Sequence, residues 1–238
     1  MNERTALVTG ANKGIGKHIA RLLAAEGFTV HVGSRDPGRG RQAAEEIGAG
    51  ARPLDLDVTD PDGIAAAAAR IDRLDVLVNN AGISPSLAPP AETGIDEYRR
   101  TYETNVFGVV AVTDAFLPAL RRSPRPRIVN ISSGTASLTW STTPNPQFTP
   151  GNGGAAAYRS SKAALNALTL LYAQTLAGDG FKVNALAPGL RATELNSVAA
   201  SAGGDPAEAA QGALRLALLP DDGPNGGFFS WDGTSVPW

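Results

Sequence analysis

The feature that most constrains this chain is an alternation of strand-like and helix-like segments from one end to the other. Short β-branched or apolar runs recur at Thr5–Thr9, Phe28–Ser34, Ala51–Asp55, Val76–Asn79, Arg127–Ser132 and Lys182–Ala187, with a brief Phe228–Ser230 near the end. Several are apolar throughout rather than alternating, as strands covered on both faces must be. Between them lie stretches expected to be helical: Ile15–Glu26, Gly40–Ile47, Asp60–Ile71, Asp96–Leu120, Ala155–Leu176 and Pro206–Leu218. Repeated strand–helix–strand units close in a right-handed sense and build a parallel sheet. The expected fold is therefore α/β, a doubly wound parallel sheet. No linker divides the chain and no repeat of 20–50 residues is visible, so 1–238 is read as one domain.

Composition removes several kinds of chemistry. Lys and Arg number 21 against 23 Asp and Glu, a net charge of −2, which leaves no charge-based case for binding nucleic acid or an anionic membrane. The absence of cysteine excludes thiol nucleophiles, disulfides and thiolate zinc sites. The two histidines, His18 and His31, fall inside the first helix and second strand without a carboxylate or serine partner in sequence, and read as structural. The polar N-terminus and its short apolar run lack the apolar stretch of roughly 7–15 residues in a secretory signal. The most apolar segment, Ala163–Ala173, is broken by Asn166 and Thr169 and falls short of the roughly 20 residues that span a bilayer. A cytoplasmic location is expected. The sequon at Asn130-Ile131-Ser132 sits in a strand read as buried and is set aside.

Two segments interrupt the alternation, one within about 134–154 and one within about 190–206. Trp140–Gly154 holds Pro144, Pro146, Pro150, Gly151, Gly153 and Gly154, and is expected to be neither helix nor central strand. Leu195–Asp205 is small and polar. Both follow strands in the second half of the chain, where open α/β sheets place their ligand crevice. They are read as a substrate wall and a lid.

The first strand runs into Gly10-Ala11-Asn12-Lys13-Gly14-Ile15-Gly16, and a helix follows. Glycines there permit a tight turn and let a pyrophosphate approach the backbone at a helix N-terminus, where free N–H groups and the helix dipole favour anions. The second strand ends in Gly33-Ser34-Arg35-Asp36. An acid at such a strand end bonds a ribose 2′-hydroxyl, whereas an arginine accommodates a 2′-phosphate. Arg35 presents the planar fork suited to phosphate oxygens and Lys13 adds a second positive charge, while Asp36 is the competing signal.

Tyr158 and Lys162 are four residues apart, so on a helix they share one face. A phenol is a poor proton donor and base at neutral pH, and a neighbouring ammonium group is expected to lower its pKa. Such a pair can protonate a carbonyl oxygen as hydride arrives. Ser132 closes the fifth strand and Ser133 lies just past it, and a hydroxyl there can donate to the developing alkoxide.

These residues also carry a family resemblance. The segments Thr9-Gly-Ala-Asn-Lys-Gly-Ile-Gly16, Asn79-Asn-Ala-Gly82, Asn105, Ser132-Ser133, Tyr158-x-x-x-Lys162 and Pro188-Gly189 occur in the order seen in short-chain dehydrogenases/reductases, across essentially the whole chain. The glycine turn, Gly-Ser-Arg-Asp, and the extra residues before Tyr158 look most like the carbonyl-reductase branch. The resemblance implies a Rossmann-like single domain and a catalytic set of Asn105, Ser133, Tyr158 and Lys162. Ser133 is implicated as the second serine of the pair, Asn105 as anchoring a relay water near the lysine, and Lys162 as also holding the nicotinamide ribose. The implied cofactor contacts are Gly10, Asn12, Lys13, Gly14, Ile15, Gly16, Ser34, Arg35, Asp57, Val58, Asn80, Ala81, Gly82, Tyr158, Lys162, Pro188, Gly189 and Thr193. In NAD-using relatives the ribose acid aligns with Ser34, so Asp36 is out of register and the cofactor expected is NADP(H). The spacing of 25 residues from Ser133 to Tyr158 is about twice that of many members.

The combined expectation is an NADPH-dependent ketoreductase acting on a small carbonyl compound, without a metal. An NAD-dependent alcohol dehydrogenase and a dinucleotide-binding regulator without turnover are the rival readings. The apolar surplus of Ala163–Ala173 points to a homodimer or homotetramer, whereas the insertion before Tyr158 is similar to that of monomeric carbonyl reductases. Trp140, Phe148, Leu190 and Leu195 are candidates to line an apolar substrate pocket.

Overall fold

The computed structural model describes residues 4–148, 150–151 and 153–238. Thr149 and Asn152, inside the expected substrate wall, and residues 1–3 of the expected domain lie outside the described residues. The elements follow in the order β1 (Arg4–Val8), α1 (Gly14–Ala25), β2 (Phe28–Ser34), α2 (Pro37–Ile47), β3 (Ala51–Asp55), α3 (Pro61–Ala68), β4 (Val76–Asn79), α4 (Ile95–Tyr102), α5 (Gly108–Leu120) and β5 (Arg127–Ile131). They continue with α6 (Leu138–Thr142), α7 (Ala156–Thr175), β6 (Lys182–Ala187), α8 (Ser197–Ala200), α9 (Pro206–Ala217) and β7 (Phe228–Ser230).

Among the described residues, seven strands form one parallel sheet in the order β3-β2-β1-β4-β5-β6-β7. The chain winds outward from β1 in both directions, so the order reverses between β1 and β4. Helices on either side of that point leave a crevice at the C-terminal ends of the strands. β4 and β5 are buried along their whole length; their apolar residues fill the two cores, and the buried Asn79, Arg127 and Asn130 are each hydrogen-bonded. One core lies on the side of α1, α2 and α9, around Ile19, Leu23, Val30, Val78 and Leu216. The other lies under α3, α5 and α7, around Leu7, Leu77, Phe116, Ile128 and Phe181. The outer side of α7 leaves Ala167 and Leu171 exposed.

Several boundaries differ from the sequence expectation for identifiable reasons. Thr9 and Ser132 fall just past β1 and β5, although the N–H of each still donates to the neighbouring strand, to Val78 O at 3.0 Å and Leu186 O at 2.8 Å. Pro37 occupies the first turn of α2, where its missing N–H costs nothing, and the Asp36 carboxylate caps the helix by accepting from Arg39 N at 3.0 Å. Asp96–Leu120 is not one helix: α4 and α5 are separated by a π-helical turn over Glu103–Phe107, which carries Asn105.

The Pro/Gly-rich stretch corrects a second expectation, since Trp140 belongs to the short helix α6, capped by the Ser137 hydroxyl. Trp140 is buried with Ala185, Ala187, Phe228 and Val236 in a small third core, against which Phe148 packs. Trp238 stacks on Phe228 at 5.3 Å and its carbonyl accepts from Thr139, which ties α6 to the last segment. Trp140 and Phe148 therefore brace the insertion rather than line a pocket, and Leu190 is exposed. Among the described residues no helix is long and apolar enough to cross a membrane, and no cluster of His, Asp and Glu is arranged to hold a metal.

Candidate functional site

A cleft of about 750 Å³ runs along the C-terminal ends of the strands. Its floor is the turn between β1 and α1. Gly10 and Gly14 adopt φ of +61° and +54°, in the left-handed region that side chains avoid. The turn is pinned from β4: the Asn80 carboxamide donates to the carbonyls of Thr9 and Gly10 at 2.8 and 3.1 Å, and Asn80 N and Ala81 N both donate to the Thr9 hydroxyl at 3.0 Å. Thr9 is thus a positioning residue that the sequence did not single out, although it heads the glycine motif. The N-terminus of α1 opens onto this floor with no side-chain cap and no acid in its first turn. Its free N–H groups and dipole suit an anion.

Most of the expected cofactor residues line the cleft: Gly10, Asn12, Lys13, Gly14, Ile15, Gly16, Arg35, Asp57, Val58, Asn80, Ala81, Gly82, Tyr158, Lys162, Pro188 and Thr193. Two do not. Ser34 is buried, and its hydroxyl is spent on the turn to Asp36, donating to Asp36 O at 2.8 Å and accepting from Asp36 N at 3.2 Å. Gly189 faces away, with φ +70° and Trp231 packed where a Cβ would be. The cleft also takes in Leu56, Thr59, Arg100, Glu103, Thr104 and Glu194, which sequence reasoning missed. No motif marks them. Ile83, Ser84, Pro85 and Leu195 line it as well, and Asn196 donates to the buried Ser84 hydroxyl at 3.1 Å, fastening the loop after β6 to the loop after β4.

The reacting end is built by α7 against β5. Tyr158 and Lys162 share one face of α7, with the Lys162 ammonium 5.9 Å from the phenol ring centre and donating to Ile131 O at 2.7 Å. Ser133 lies beside the Tyr158 phenol, and its own hydroxyl meets the Thr135 hydroxyl at 2.8 Å. Ser132 lines the cleft, but its hydroxyl is committed to the Asn166 carboxamide oxygen, to which it donates at 2.6 Å. That separates the two adjacent serines: Ser133 reaches the tyrosine and Ser132 anchors the helix.

Burial dominates the electrostatics. It pushes the Tyr158 phenol above its ordinary pKa, with the Ser133 hydrogen bond pulling the other way. It draws Lys162 down from 10.5 to about 8. The expected lowering of the phenol's pKa by the ammonium group is not met: desolvation drives the net shift upward, and the downward pull comes from Ser133.

Asn105 sits behind the site, fully buried in the π-helical turn. Its carboxamide donates to Ile83 O at 2.9 Å and Ser161 Oγ at 3.0 Å, and accepts from Ile83 N at 2.8 Å. It neither lines the cleft nor contacts Tyr158 directly. A Cβ on Gly82 would lie 3.3 Å from Asn105 Oδ1 and 3.4 Å from Lys162 Nζ, so the glycine keeps the space between them open.

The family model for short chain dehydrogenases matches residues 4–202, most of the chain. The chain is a short-chain dehydrogenase/reductase. This short-chain oxidoreductase is 32% identical to a salutaridine reductase of Papaver bracteatum, over 95% of the chain and 94% of that protein. It is 37% identical to a cyclopentanol dehydrogenase of Comamonas testosteroni, over 82% of the chain and 76% of that protein. A crystal structure of NADPH-bound carbonyl reductase from chicken fatty liver superimposes with a TM-score of 0.85 at 29% identity, covering 100% of both chains.

Proposed function

We propose that the enzyme reduces a ketone or aldehyde to an alcohol with NADPH, using Tyr158 as the proton donor. One observation carries this reading: Tyr158, with Ser133 beside it, and Lys162 stand at one end of a cleft whose other end is a glycine turn under an uncapped helix N-terminus. The residues present fit a dinucleotide. Gly10, Gly14 and Gly16 let backbone approach it, the N-terminus of α1 suits the pyrophosphate, and Lys13 and Arg35 supply positive charge. NADPH, when bound, supplies the hydride.

The chain's own residues handle the oxygen and its proton. Ser133 and Tyr158, side by side, present two hydroxyls to the carbonyl oxygen and stabilise the charge that develops there. With its pKa held up by burial, Tyr158 carries its proton at neutral pH and delivers it to the oxygen as the C–H bond forms. The resulting phenolate is stabilised by the Lys162 ammonium, which is protonated at pH 7 with a pKa of about 8. The absence of a side chain at Gly82 leaves the Lys162 ammonium and the Asn105 carboxamide uncrowded behind the phenol.

The test is a panel of ketones, aldehydes and quinones scored by loss of NADPH absorbance, with NADH in parallel. The proposal predicts that at least one carbonyl compound is reduced to its alcohol, faster at low cofactor concentration with NADPH. Turnover of none of them, or a preference for NADH, contradicts it.

A further inference from the structure

We propose that Glu194 sets how strongly the enzyme prefers the phosphorylated cofactor, because its carboxylate holds Lys13 and a 2′-phosphate must displace it to gain that cation. The inference rests on the NADP(H) reading above and deepens it.

Glu194 stands on the loop after β6 and Lys13 in the glycine turn; both line the cleft and the two form an ion pair across it. The loop rests directly on the turn there, since the Thr193 methyl lies 3.6 Å from the Cβ position of Gly14. Lys13 holds the Glu194 carboxyl below its ordinary pKa, and Arg39 of α2 adds a smaller pull in the same direction. The carboxylate therefore sits among cations at the corner where the glycine turn meets the end of β2. Arg35 lines the cleft at that strand end. Asp36, the other acid nearby, is engaged by Arg39 at the N-terminus of α2. Glu194 is 73% exposed, so its side chain can swing away from Lys13 at little cost.

A 2′-phosphate carries close to two negative charges at neutral pH. Beside Glu194 it meets a like charge and finds Lys13 already partnered, whereas a free 2′-hydroxyl meets neither penalty. Glu194 thereby narrows the gap between NADPH and NADH that Arg35 and Lys13 would otherwise open. Because the pair is solvent-exposed, the effect is screened by salt.

The experiment measures Kd by fluorescence titration for NADPH, NADH and adenosine 2′-monophosphate, at low and high salt. The proteins are the wild type, Glu194→Gln, Lys13→Met and the double variant, with Glu194→Ala as a second probe. Glu194→Gln is expected to tighten NADPH and adenosine 2′-monophosphate by about 3–10-fold at low salt and to leave NADH within about twofold. The gain is expected to shrink at high salt and to vanish in the Lys13→Met background. Unchanged NADPH affinity, weaker NADPH binding, or equal tightening of NADPH and NADH overturns the role of Glu194 while leaving the cofactor reading intact. Failure of both the wild type and Glu194→Gln to bind NADPH overturns the cofactor reading itself.

Discussion

Replacing Lys162 with methionine should abolish activity and make the protein more stable. Lys162 is 4% exposed, and burial draws the pKa of its ammonium from 10.5 to about 8. At about 1.36 kcal/mol per pH unit, holding the charged form in place costs the folded protein ~3 kcal/mol at pH 7. Methionine removes that cost and forfeits the 2.7 Å hydrogen bond to Ile131 O, which is worth about 1 kcal/mol. The net expectation is a gain of about 1–2 kcal/mol in urea unfolding of the ligand-free protein at pH 7. The sign with pH follows from the lowered value. Below pH 8 both folded and unfolded lysines are protonated and the cost is constant. Between about 8 and 10.5 the unfolded chain binds more protons than the folded one, so wild-type stability rises with pH and the advantage of methionine falls. A destabilised Lys162→Met protein, or an advantage that does not change between pH 7 and 10, refutes the reasoning.

Arg35→Ala is expected to raise the KM for NADPH far more than that for NADH, by roughly 1–3 kcal/mol, if the guanidinium meets the 2′-phosphate; steady-state kinetics with both cofactors checks this, and equal effects contradict it. Gly16→Ala would place a Cβ 2.7 Å from Gly10 O and closer still to the Asn80 carboxamide. It should cost about 1–3 kcal/mol of stability, read by urea unfolding, and weaken binding of NADPH and NADH alike.

The sheet was legible because short apolar or β-branched runs alternate with longer helical stretches, and β2, β3, β4, β6 and β7 begin and end where those runs do. The π-helical turn at Glu103–Phe107 was not, since apolar periodicity carries through Asp96–Leu120 while the backbone inserts a wider turn that delivers Asn105. Spacing placed Tyr158 and Lys162 on one face of α7 but could not weigh their burial, which reverses the expected direction of the tyrosine's shift. Loop composition put Trp140 and Phe148 in the pocket, yet an aromatic side chain in a loop carries no signal of which face it covers; both pack on β6 and β7 instead. Glu194 escaped notice for a related reason: its partner Lys13 lies 181 residues away, and only the fold brings the two together.

The most direct measurement is of Tyr158→Phe, which removes one hydroxyl from the reacting end and leaves the ring in place. NADPH-dependent reduction of a carbonyl substrate of the wild type is compared with NADPH Kd from fluorescence titration. Loss of the proton donor is expected to lower kcat by at least about 100-fold while the Kd stays within about twofold. A variant that turns over at the wild-type rate would contradict the assignment of Tyr158 as the proton donor.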